Sequence, residues 1–183
     1  MARLAVAVIA AACCTSVACA SPAQAPPPAA PTSPPPTSPA PALADWADGY
    51  CKAVKDLTTE VYTLPKPFDI KTAADLPRVE TALSTLDAKL SNAITGLENL
   101  PDLAPPAQEA NAVVSDRLAH YRDLRGQVVE YLVVLHRGGV DYAQSALTVL
   151  GIDMVAYKPA AYASDVPGMR EVMKANDNCK LVS

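Results

Sequence analysis

Asp116, His120 and Asp123 stand at i, i+4 and i+7 in the stretch SDRLAHYRD. In a helix, spacings of four and three put all three on one face. Two carboxylates and an imidazole so placed offer oxygen and nitrogen donors to a divalent cation. That face, however, points away from the apolar stripe of its helix. Together with Glu109 and Arg117 it reads as a charge-mixed, solvated surface, and no metal ligand is assigned. The second histidine, His136, precedes Arg137, Gly138 and Gly139. Basic residues followed by glycine suit the negative C-terminal end of a helix.

Motifs with a defined mechanism are missing from the sequence. It holds no CxxC, HExxH, GxSxG, SxxK or phosphate-binding glycine loop, and no Glu-x-x-His pair of the di-iron type. Trp46 and Tyr50, four residues apart, are read as core residues. No catalytic residue and no cofactor is assigned, ligand-binding residues stay unknown, and the balance leans away from an enzyme.

The N-terminus says more about place. Arg3 is followed by the apolar run Leu4–Cys14, and no further charge occurs before Asp45. The run is too short to cross a bilayer, which takes about 20 residues. A basic start, an apolar core and a small-residue exit predict a signal peptide over residues 1–18. The residues SVAC (Ser16 to Cys19) resemble a lipobox, which makes Cys19 the expected lipidation site. A cut after Ala20 for ordinary secretion is the alternative. Residues 21–42 contain ten prolines among Ala, Ser, Thr and one Gln. Such a composition buries no core and favours an extended spacer. Residues 19–42 are therefore expected to be a lipidated cysteine plus a disordered stalk, and 43–183 a folded domain.

Five cysteines and a net charge of −4 bound the rest. Loss of Arg3 with the leader leaves 14 basic against 19 acidic residues, a charge of −5. That sign argues against nucleic acid as a partner. The domain keeps Cys51 and Cys179, and in an exported protein these are expected to pair.

Apolar spacing then predicts helices. Leu43, Trp46, Tyr50, Val54, Leu57 and Val61 form one stripe, ended by Pro65 and Pro67. Asp75 is the expected N-cap of a second helix, with Pro77 in its first turn. Its stripe is Leu76, Val79, Leu83, Leu86, Leu90, Ile94 and Leu97. A third helix, starting at Pro105–Pro106, carries Ala110, Val114, Leu118, Tyr121, Arg125, Val128, Leu132 and Leu135. Arg125 interrupts it as a snorkelling side chain at the core edge, or as half of an internal ion pair. The stop falls at His136–Gly139. A fourth helix is expected over Asp141–Leu150, a fifth after Asp165 with Pro167 in its first turn. Met154–Tyr157 is read as loop, within a surface-wrapping segment from Ile152 to Gly168. The predicted fold is all-α, a four- to five-helix antiparallel bundle closed by Cys51–Cys179.

In plan the chain resembles the small exported lipoproteins of high-GC Gram-positive bacteria, on the strength of the leader, the stalk, ADWADGYCKAV (Ala44 to Val54) and the terminal NCK (Asn178 to Lys180). The resemblance implies a compartment, the outer face of the cell membrane, and no activity. Two functions are expected to compete. One is a non-catalytic envelope protein that presents an interaction or scaffold module to an unknown envelope partner. The other is a bundle that binds a lipid or other apolar ligand between its helices. A filled core favours the first, and an apolar cavity of several hundred Å3 favours the second.

Overall fold

The leucine-rich stripe of the second helix sets the centre of the molecule. Leu76, Val79, Leu83, Leu86, Leu90, Ile94 and Leu97 are all buried along α2 (Leu76–Glu98). Each such burial is worth about 1.5–3 kcal/mol relative to leaving the side chain in water. The computed structural model describes residues 40–60 and 62–182. The expected signal peptide, Cys19 and all of the stalk before residue 40 lie outside the described residues. Two further helices, α1 (Ala40–Glu60) and α3 (Glu109–Ala156), pack on α2, and a short α4 (Met169–Ala175) packs on α1. No strand occurs among the described residues. Among the described residues the fold is an all-helical antiparallel bundle of four helices, the third of them divided at Gly139, closed by the Cys51–Cys179 disulfide.

Small residues let α1 and α2 approach closely. A Cβ placed on Gly96 of α2 would sit 2.8 Å from the Cβ of Ala53 on α1, too near for any side chain. On α1, Trp46 and Tyr50 stack with ring centroids 5.1 Å apart and both are buried, as expected for core residues. The described part of this helix begins at Ala40.

Several expected boundaries move. Asp75 stands at the N-cap position of α2 with Pro77 in the first turn, as expected, but its side chain makes no capping bond to the helix. Its carboxylate turns back and accepts the Lys71 and Thr72 N–H groups at 3.0 and 2.9 Å, closing the turn before the helix. The third helix begins at Glu109, beyond the Pro105–Pro106 pair. The Asn111 side chain clamps the incoming loop by accepting the Leu103 N–H and donating to the Leu103 carbonyl.

The third and fourth expected helices are the two limbs of α3, which divide at the HRGG stretch as expected: Gly139 has φ 67° and ψ −156°, outside helical space. The second limb runs back beside the first, and Tyr142 meets Tyr131 with ring centroids 5.9 Å apart. The second limb also runs past Leu150 to Ala156. Met154–Ala156, read from sequence as loop, is therefore helical. The stop comes from Pro159, which disfavours helical backbone in the residue before it. Pro167 precedes α4 rather than sitting in its first turn. Val166, Met169 and Met173 are nonetheless buried, and Val172 is partly buried against the core.

Candidate functional site

The second limb of α3 runs back along the first, and Tyr157, just past its end, anchors it there. The Tyr157 ring lies flat on His120, with centroids 3.8 Å apart and planes within 2°. Its hydroxyl donates to Asp116 Oδ2 at 2.7 Å, and the Ala160 N–H donates to the same oxygen at 3.3 Å. Two of the three sequence-level metal donors are thus engaged in holding this segment. Asp123 accepts instead from Gln127 on its own helix. Among the described residues no group of three or more His, Cys, Asp or Glu side chains could hold a metal ion. Burial, and then the Arg117 charge, push His120 below its usual pKa of 6.5. The imidazole is accordingly neutral near pH 7. The Tyr157 hydroxyl is pushed well above its ordinary value by burial and by its bond to Asp116.

Arg117 is placed differently from its expected solvated surface. It is half-buried and points across the Tyr157 ring, its guanidinium carbon 5.2 Å from the ring centroid. The Tyr50 and Tyr121 phenols lie close enough to interact with it, and burial raises the pKa of each. Its Nε is buried and has no hydrogen-bond partner among the described residues. Val114, Arg117, Tyr121 and Leu124 follow one another at spacings of three and four, so the sequence did carry a sign that Arg117 faces inward. The charge on the residue masked it.

These side chains edge a cleft of about 340 Å3 between α1 and α3. Val54 and Leu57 form its α1 wall, Leu124 and Met154 its α3 wall, and Tyr157 and Tyr162 its rim. Among the described residues no aspartate or glutamate lines it. One continuous cluster of buried apolar side chains, drawn from every helix, forms the core.

The remaining polar groups hold the fold together. Arg125, expected to snorkel, forms the alternative ion pair, its Nε 2.8 Å from Asp87 Oδ1 on α2. His136 lies 3.3 Å from Glu80 on α2, three residues before the break in α3. Glu60, the buried acid of α1, pairs with Lys89 of α2. At the other end, Asp48 accepts from the Asn176 and Asn178 side chains at 3.1 and 2.9 Å, beside the Cys51–Cys179 bridge. The C-terminal tail is thereby fixed to α1 twice, once covalently and once by hydrogen bonds. Comparison with family models, with curated proteins and with solved structures finds no match for the chain.

Proposed function

We propose that the chain is a non-catalytic, lipid-anchored protein of the cell envelope that presents a helical recognition module beyond the membrane. Attachment runs through Cys19 after removal of residues 1–18, and the proline-rich stalk sets the distance from the bilayer. The Cys51–Cys179 bridge carries this reading, because such bonds persist in oxidising, extracytoplasmic surroundings. The employment of polar side chains supports a binding role over catalysis. Asp116 and His120 hold a loop, Asp48 holds the tail, and Glu60 and Arg125 join helices. The test is the intact mass of the protein recovered from host membranes, together with in-cell crosslinking. The reading requires a mature N-terminus at Cys19 bearing acyl groups. Protein that retains Met1 in a soluble fraction would refute it.

A second reading has an observation of its own. A cleft of about 340 Å3 with apolar walls falls within the range used by small ligands. It favours a helical domain that holds a lipid or other apolar molecule, and such a ligand would be what the module recognises.

A further inference from the structure

Arg122 and Arg125 reach from α3 to α2 and hold the carboxylates of Glu98 and Asp87. Arg117 is half-buried, and its Nε finds no partner among the described residues. The adjacent acid, Asp116, is taken up by the Tyr157 hydroxyl and the Ala160 N–H. What surrounds the guanidinium is three phenols, of Tyr50, Tyr121 and Tyr157. Neutral phenols solvate a cation without cancelling its charge. The neighbouring His120 is neutral for the reasons given above.

The cleft therefore has apolar walls and one uncompensated positive charge, with no acid among the described residues that line it. Placing a guanidinium in such surroundings costs free energy unless an anion completes it. The fork of N–H groups matches a carboxylate in shape and charge. Val54, Leu57, Leu124 and Met154 supply the apolar contact area beside it.

We infer that the cleft between α1 and α3 binds a small carboxylate-headed amphiphile, its head on Arg117 and its apolar body between Leu57 and Met154. This rests on the second functional reading, that of an apolar-ligand binder, and gives it a ligand class and an orienting residue. Tyr157 and Tyr162 at the rim cover the ligand's exposed side. The 340 Å3 volume limits the body to a short alkyl chain or a single aromatic group, excluding a full-length diacyl lipid.

The experiment titrates the full, disulfide-bonded chain with decanoate and, separately, with decanamide, which keeps the alkyl body and loses the charge. Ligand-observed NMR reads binding in the weak range. Decanoate is expected to bind with a dissociation constant of about 1 mM or tighter. Decanamide is expected to bind about ten- to a hundredfold more weakly, the loss of one charge-assisted contact. Arg117→Gln should weaken decanoate by the same factor and leave decanamide unchanged, and Arg117→Lys should fall between. The comparison of the two ligands on the unaltered chain stands even where a variant folds badly. Equal binding of both ligands, insensitive to Arg117→Gln, would overturn the carboxylate assignment and leave apolar-ligand binding standing. Binding of neither at about 10 mM would overturn both.

Discussion

Replacing Gly139 and Gly126 by alanine, one at a time, sets the same chemical change at two places on α3 and is expected to give opposite signs. Both positions have open space where the new Cβ would go, with nothing within 4 Å. Sterics with neighbours are therefore removed from the comparison. At Gly139 the backbone has φ 67° and ψ −156°, a region that only glycine enters without strain. Alanine there should cost about 1–3 kcal/mol, the usual range for a non-glycine residue forced into such a conformation. Gly126 lies in regular helix, on the exposed side. Alanine there should gain about 0.5–1 kcal/mol, from helix propensity and a less flexible unfolded chain. The two variants should thus differ by about 1.5–4 kcal/mol, or roughly 5–15 °C in melting temperature for a domain of this size. Urea denaturation followed by circular dichroism, with the disulfide intact, measures the gap directly. Gly138 is no substitute control, because its Cβ would meet Tyr142 at 2.4 Å. A Gly139→Ala protein as stable as the parent, or more so, would mean that Gly139 does not hold the left-handed backbone that divides α3, and that the argument for the break is wrong.

Three further outcomes follow from the contacts that close the bundle. Replacing Cys51 and Cys179 together by serine should cost about 2–5 kcal/mol, read as a shift in denaturation midpoint, since the bridge spans 128 residues. Lys89→Met leaves Glu60 buried and unpaired. The cost should be about 2–4 kcal/mol, somewhat below that of a fully buried pair because Lys89 is one-third exposed, and adding Glu60→Gln should restore most of it. Asp48 is drawn down to about 2 by Lys52 first and then by the Asn178 and Asn176 amides. Its folded value lies below the ordinary 3.8, so its contribution is present above that pH and is lost as pH falls toward 2. The stability difference between the parent and Asp48→Ala should shrink over this interval, and a constant difference would count against the assigned contacts.

The helices were legible because their stripes are dense and regular. All seven stripe positions of α2 are buried, as are Trp46, Tyr50, Val54 and Leu57 on α1. The pairing of Cys51 with Cys179 followed from export and from the absence of other partners in the domain, and the structure contains it. What could not be read was the conformation of single residues. The HRGG stretch marked the end of a helix, but not that Gly139 alone, at φ 67°, would carry the break. Asp75 has the right type and position for a cap, but the turn before it offered two N–H groups to the same oxygen. The cleft was hidden for a related reason. Arg117 is polar by type and its neighbours form an ordinary charged run. Its inward placement depends on Tyr157, 40 positions further on, folding back over His120. Such long-range pairings leave no trace in local spacing.

The bridge between α1 and the tail also makes a ring of everything from Cys51 to Cys179. A single proteolytic nick at any bond within it opens the ring without releasing a fragment. Tension applied through the N-terminal end can unwind α1 only as far as Cys51, where the load passes into a covalent loop instead of a stack of hydrogen bonds. The domain would keep its pieces together under both insults.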